Sequence, residues 1–445
     1  MRKLIFCSSI LVLVVLFGVA TTAGGAGSKQ QEEKISSMDR GRAQQMLDDI
    51  GSDLRKHYYD PTFHGVDLEA MLREYKQRIQ NAETMNMALS HVAAALDTLQ
   101  DSHTFFLPPA HAYHHSYEWK IQVVGERCYV TQVKPKSDAE AKGVKPGDEV
   151  VSINSYPPDR VNLRKIEYVF NILRPQPGLR VVLRDPTGSE RQVDVMANMK
   201  AGQRIKDLTG EGIWDVIREG ENKEHFMRAR YVEVGDELMI LKLPEFDFAP
   251  SEIEGMLGRA RKHKALVLDL RSNPGGSEET LKYLLGGMFE NDVKIGNRVG
   301  RETKQEAVIT KGGHNPFQGK LVVLLDSRSA SAAELFARVI QLEKRGTVLG
   351  DQSSGSVMEA RHYSYTMGVD TVIPFGASIT RADLIMSDGK SLEHTGVTPD
   401  EISLPTAADL ASGHDPVLAH AAQILGVKLS PEDAGKMFPY EWPPE

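Results

Sequence analysis

At 445 residues the chain is longer than one ordinary domain, and 41% hydrophobic with 26% charged residues suits several buried cores in a soluble protein. Its formal net charge of -8, with no long basic tract, argues against a nucleic-acid partner, because phosphate binding needs clustered Lys and Arg.

Arg2 and Lys3 precede an apolar run from Leu4 to Val19, and small residues follow from Ala20 to Gly27. This order reads as a secretory signal over 1–26, cleaved between Ala20 and Ala26. Ser8 and Ser9 interrupt the run and leave it short for a retained membrane span. An exported chain, periplasmic or extracellular, is the expectation. Cys7 leaves with the signal, so Cys128 stands alone in the mature chain and no internal disulfide can form. It lies in the apolar run Cys128-Tyr129-Val130 and reads as a core residue.

A polar stretch at 30–33 reads as a disordered neck. From Ser37 to Gln100 the spacing is helical. Met46, Leu47, Ile50 and Leu54 share one face, and Met87, Val92, Leu96 and Leu99 share another. This predicts an N-terminal helical subdomain over 27–112, ending in Asp101-Ser102-His103. After Pro108-Pro109 the pattern turns to strands at 121–124, 128–133, 149–153, 180–183 and 192–195. A short helix from Ser137 stops at Gly143, and Val144 to Asp148 turns into the next strand. A longer helix is predicted from Leu163 to Leu173. His111, His114 and His115 cluster at the entry to this region. With no His-Glu-x-x-His helix and no cysteine partner they read as a solvated hinge, and no metal is called for.

The run AEAKGVKPGDEVVSINSYP and the order of elements around it resemble a PDZ domain, over 117–200. PDZ domains add a peptide strand to a sheet edge and hold its C-terminal carboxylate with backbone amides. The resemblance puts that edge at Trp119, Lys120 and Ile121. The stretch Ser116 to Ile121 lacks the family's glycine-containing carboxylate loop, so a structural module and a peptide-binding one both stand.

From Tyr231 onward strands alternate with helices: a strand from Leu238, a helix from Glu252, a buried strand from Ala265 to Leu270, a helix from Glu278 and a strand from Leu321 to Leu325. That alternation predicts a parallel sheet with crossovers, in an α/β core over 201–410 followed by a C-terminal extension, 411–445.

Two segments carry chemistry. In LVVLLDSRSASAAELFARVI a buried strand runs through a polar turn into a helix beginning at Ala332. Ser331 stands on that corner, with Ser329 two positions earlier, where first-turn amides can stabilise an oxyanion. Taken alone, a serine there is more often a helix cap. In ALVLDLRSNPGGSEE the pair Gly275-Gly276 lets backbone approach a ligand. Asp269 and Arg271 are expected to brace the strand end, and Asp326 the nucleophile turn.

DLRSNPGG, SASAAE and LEHTGVTPD, in this order behind a PDZ-like module, resemble the S41 peptidase family of C-terminal processing and tricorn-type peptidases. The resemblance implies a multidomain α/β protein with a ClpP/crotonase-like core, acting on polypeptides without cofactor. It makes Ser331 the nucleophile and the amides of Ala332 and of Gly275 or Gly276 the oxyanion hole. The processing branch uses a lysine base, but Gly355-Ser356 stands in its place and no lysine occurs between Lys344 and Lys390. The tricorn-like branch uses histidine with a serine and a distant glutamate, which match His103, Ser102 and Glu393. His103 would then be general base and acid, with Ser102 and Glu393 orienting it. Rival readings are a catalytically silent peptide- or ligand-binding protein on the same fold, a PDZ scaffold, and a hydrolase of small esters.

Overall fold

The computed structural model describes residues 34–111, 113–201, 227–301, 306–311, 315–368 and 372–442. The expected signal over 1–26 and the neck at 30–33 lie outside the described residues, as does 202–226 at the start of the expected core.

The helices α1 (Ser37–His57), α2 (Leu68–Gln80) and α3 (Met85–Asp97) come first. Each begins on a side chain that accepts a first-turn amide: Ser36 from Asp39 at 3.0 Å, Asp67 from Ala70 at 2.9 Å and Thr84 from Met87 at 3.3 Å. Met46, Leu47, Ile50 and Leu54 of α1 are buried, as are Val92 and Leu96 of α3. They do not close a core among themselves. They pack on Phe106 of β1 (Phe105–Leu107) and on Phe375, Ala377 and Ile379, far along the chain. The helices are therefore one layer of a larger unit.

β2 (Tyr113–Ser116) leads into a five-stranded antiparallel sheet in the order β3 (Trp119–Val124), β4 (Arg127–Val133), β5 (Glu149–Ile153), β6 (Gly178–Arg184) and β7 (Glu190–Met196). β8 (Asn198–Ala201) pairs back on β2 and closes the neck of this module. Ser137 caps the short helix Asp138–Ala141 through Glu140 N–H at 3.1 Å, and Gly143 ends it at φ 76°. The predicted long helix divides. Leu163–Tyr168 is α-helical, and the next turn widens until Arg174 N–H bonds Val169 O at 2.7 Å. Inward residues of the strands and of this helix, with Cys128 among them, form the module's own core.

A six-stranded sheet follows, in the order β18 (Glu401–Ile402), β15 (Thr347–Gly350), β14 (Lys320–Leu325), β11 (Ala265–Asp269), β10 (Leu238–Lys242) and β9 (Arg230–Val234). Its strands run parallel except β9, which is an antiparallel edge. Alternate residues face two layers, which is why these strands read as continuous apolar runs. Leu266, Leu268, Leu321 and Val323 meet the helices Pro250–Ala260, Glu278–Gly286 and Ala332–Leu342. Val267, Val322 and Leu324 meet Pro416–Ile424 and Pro431–Met437. The C-terminal segment is thus the second layer of the sheet.

A further sheet was not expected from sequence. β1 pairs with β17 (Ile373–Met386), which also pairs with β12 (Lys294–Val299) and β16 (Met358–Met367), and β13 (Glu306–Ile309) lies beyond β12. This sheet carries the helical layer, and its strand β17 sets the position of the Asp101 turn. Among the described residues no helix is long and apolar enough to cross a membrane.

Candidate active site

β14 ends at Leu325, and the turn that follows is wound around Asp326. Its carboxylate accepts from Ser329 N at 3.0 Å, Arg328 N at 3.0 Å and Ser272 N at 2.9 Å. Ser329 is buried and donates to Leu270 O at 2.8 Å, so it staples this turn to the neighbouring strand end. Ser331 then takes φ 53° and ψ -118° as the chain enters the helix Ala332–Leu342. A non-glycine residue there stores on the order of 1–3 kcal/mol of strain. Its hydroxyl makes no cap bond to the helix. The ordinary reason for a serine at this corner is therefore missing.

The Asn273–Gly276 turn abuts that serine. Ala330 N–H bonds Asn273 O at 2.9 Å, and a Cβ on Gly275 would lie 2.6 Å from Ser331 Cβ. Buried Asn273 holds the turn by donating to Leu243 O at 2.9 Å and accepting the Gly275 amide at 2.8 Å. Of the amides singled out from sequence, that of Gly275 is therefore already engaged. The Ala332 amide opens the helix, where no intrahelical partner exists for it.

Ser102, His103 and Glu393 come together across 291 residues of chain. Glu393 Oε1 accepts Ser102 N–H at 2.7 Å, and Oε2 accepts Ser102 Oγ–H at 2.9 Å and Val357 N–H at 2.9 Å. Ser102 Oγ lies 2.7 Å from His103 Nδ1. A hydroxyl has one proton. With it given to Glu393, Nδ1–H donates to Ser102 and the Nε2 lone pair is left as the basic position. Asp101 fixes the turn by accepting from His103 N at 3.0 Å, Thr104 N at 2.7 Å, Thr380 Oγ1 at 2.6 Å and Tyr58 Oη at 2.8 Å. Burial, and then the nearby Arg164 cation, hold the His103 imidazole down at about 4, with Asp101 opposing, so the ring is neutral near pH 7.

No hydrogen bond joins His103 to the Ser331 hydroxyl in this structure. The two halves meet through backbone: Ser331 N–H bonds Ser356 O at 2.9 Å, and the next residue, Val357, donates to Glu393. Two site residues escaped the sequence reading. Arg164, from the module's helix Leu163–Tyr168, donates to the Ser356 hydroxyl. Glu334, in the first turn of the helix Ala332–Leu342 that follows Ser331, is fully buried. Glu334 carried a signal, an acidic residue three positions after a candidate helix cap. Arg164 carried none.

The expected peptide edge is occupied by the protein itself. Trp119 and Ile121 are buried in the module's core, and Lys120 points outward from β3. The Ile121 carbonyl accepts from Arg328 Nη2 at 2.7 Å. Asp269 and Arg271 brace the strand end as a buried pair at 2.8 Å, and Arg271 also binds Asp415 at 2.7 Å, ahead of the C-terminal helices. His111 Nε2 lies 2.9 Å from Ile172 O at the module's neck.

Residues 237–403 match the family model Peptidase family S41, and 41–86 match the Tricorn protease C1 domain. The tail-specific protease of Haemophilus influenzae is 23% identical over 330 residues, 69% of this chain and 44% of that protein. A carboxyl-terminal-processing protease of Picosynechococcus is 23% identical over 429 residues, 89% of this chain and 88% of its own. Mature CPAF has the same fold at a TM-score of 0.63 and 16% identity, over 84% of this chain and 95% of that one. Together with the fold, these matches define a serine-type peptidase family. The match to peptidase family S41 covers residues 237–403, less than half of the chain, and the fold agrees with it. The chain spans 44% and 39% of the first two curated relatives it matches.

Proposed function

We propose that this chain is an exported serine peptidase that hydrolyses peptide bonds in unfolded or extended polypeptides. The observation that carries the reading is Ser331: a strained serine whose hydroxyl does not cap its helix, one backbone link from a Glu393–Ser102–His103 chain. In this mechanism His103 closes on Ser331, and Nε2 takes the hydroxyl proton as Oγ attacks the scissile carbonyl carbon. The oxyanion forms beside the amides of Ala332 and Gly276. The C–N bond then breaks as His103 returns the proton to the leaving amine, and an acyl-enzyme remains. Water, deprotonated by the same nitrogen, releases the acid. Ser102 and Glu393 keep the ring in the Nδ1–H tautomer and stabilise the imidazolium.

The segment 117–200 serves as a PDZ-like module inserted between the histidine turn and a ClpP/crotonase-like core. It brings Arg164 to the site, so displacement of the module would alter the site's charge and the hold on the 353–356 loop. The segment 1–26 is a cleaved signal, and N-terminal sequencing of the secreted protein tests that cleavage.

One observation favours a second reading, a catalytically silent binding protein on the same fold: the missing hydrogen bond between His103 and Ser331. Incubation of the mature protein and of Ser331→Ala with casein, followed by mass spectrometry of fragments, separates the two. Cleavage by the first and none by the second is the expected result. Absence of cleavage by both, with peptide still bound, would favour the silent protein.

A further inference from the structure

Glu334 is an acidic side chain with 0% exposure, and no ion pair reaches it among the described residues. Its carboxylate is instead ringed by donors. Oε2 accepts Ser331 N–H at 2.9 Å and Ser356 N–H at 3.0 Å. Oε1 accepts Gly355 N–H at 2.7 Å and the Ser353 hydroxyl. Three of these four donors are amides, which cannot accept in return. The fourth, Ser353 Oγ, already accepts Val397 N–H at 2.6 Å. Burial raises the carboxyl above its ordinary value against the pull of the four donors, while the geometry of the ring, with donors alone facing both oxygens, is the one an anion satisfies.

The partners are as informative as their number. Ser331 is the strained corner. The 353–356 loop lies between that corner and the Glu393 segment: Ser354 N–H bonds Ser329 O at 2.9 Å, Ser353 N–H bonds Val397 O at 3.1 Å, and His394 N–H bonds Gly355 O at 2.8 Å. The next residue, Val357, donates to Glu393. A helix-borne carboxylate therefore grips, with its two oxygens, both the nucleophile's backbone and the loop that joins it to the base chain.

We propose that Glu334 is a positioning residue for the peptidase reaction. Its buried anion holds Ser331 in the strained conformation that releases its hydroxyl, and holds the 353–356 loop so that Glu393, and through Ser102 the His103 ring, keeps its place relative to Ser331. This rests on the peptidase reading above. The charge helps in a second way, because a carboxylate in the first turn is stabilised by the helix dipole it faces. The anion thus sets geometry without touching substrate.

Glu334→Gln and Ser353→Ala test it. Glutamine turns an NH2 group against amides that can only donate, and the alanine removes one donor while the charge stays. The reference is the wild-type enzyme, assayed for kcat and KM on an unfolded protein and for the rate at which a fluorophosphonate labels Ser331. Glu334→Gln is expected to lower kcat and labelling together by about 10²-fold, with KM little changed, and Ser353→Ala by about tenfold. A purely structural role would lower the melting temperature and leave kcat per folded molecule unaltered. Equal labelling of wild type and of either folded variant would overturn the inference alone. Should Glu334→Gln not fold, Ser353→Ala decides it. A wild type that neither cleaves nor labels at Ser331 would overturn the peptidase reading, and this inference with it.

Discussion

Arg328, three residues before the candidate nucleophile, donates from Nη2 to the Ile121 carbonyl at 2.7 Å and pairs with Glu167 of the helix Leu163–Tyr168. Ser327 donates to the Val123 carbonyl, and Gln122 reaches Asp326 at 2.8 Å. The outer edge of β3 is thus bonded to the turn that leads into Ser331. Strand addition by a peptide needs those same carbonyls free.

It follows that a peptide docking on β3 competes with Arg328. In a Ser331→Ala background, Arg328→Ala should tighten binding of a fluorescent C-terminal peptide by about tenfold, the worth of a charge-assisted hydrogen bond. Fluorescence anisotropy reads this directly. Unchanged affinity would mean that peptides do not use this edge.

The backbone of Ser331 makes a second prediction. At φ 53° and ψ -118°, glycine is at ease where serine is strained. Ser331→Gly should abolish turnover and stabilise the fold by about 1 kcal/mol, after the added entropy of the unfolded glycine is set against the strain. Chemical denaturation of both proteins measures it. A less stable glycine variant would show that the corner is not strained.

With His103 as the proposed base, a pH dependence follows. Its pKa is lowered from 6.5 to about 4, first by burial and then by Arg164. The acid limb of kcat/KM should therefore fall near pH 4, and Arg164→Met should move it upward. Stability has a matching sign. Between the two values the unfolded chain takes up a proton that the folded one refuses, so this stability is intact above about pH 6.5 and drains away as the pH falls towards 4. An acid limb near 6.5 in the wild type would mean that the working base is another group or a solvated His103.

Gly275 has no room for change. It sits at φ 98° with the Ser331 Cβ in the path of any side chain, 2.6 Å from where a Cβ would lie. On the proposed mechanism Gly275→Ala should cost about 10²-fold or more in kcat, because Ser331 or the Asn273–Gly276 turn has to shift. Steady-state kinetics on casein would show it, and an active alanine variant would remove this turn from the site.

Much of this architecture was legible, for reasons that differ from place to place. The strand into the Ser331 corner was plain because both its faces are covered, which leaves Leu321 to Leu325 unbroken by polar residues. The module's strands were plain because each buries one face. β16 was not, since its residues are mostly exposed or half-buried and show no apolar alternation. Its pairing with β17 depends on residues distant in sequence. His103 and Glu393 could be matched by motif, but Arg164 could not, because only the docking of the module decides what it faces. Glu334 has nothing in its local sequence beyond the position of a first-turn acid. That it is a buried charge follows from the 353–356 loop folding back over it, which no local pattern announces.

The helices Pro416–Ile424 and Pro431–Met437 are among the last residues of the chain, yet they roof one whole face of the central sheet. During synthesis that face stays bare until these helices emerge, and the strands beneath it cannot be dry on both sides before then. Glu393 and its partner Ser102 are also 291 residues apart. A nascent fragment that stops short of these helices has no roofed sheet, and one that stops short of Glu393 has no Glu393–Ser102–His103 chain. Assembly of the site is in this way a timing device: it waits until the chain has passed Glu393 and these two helices.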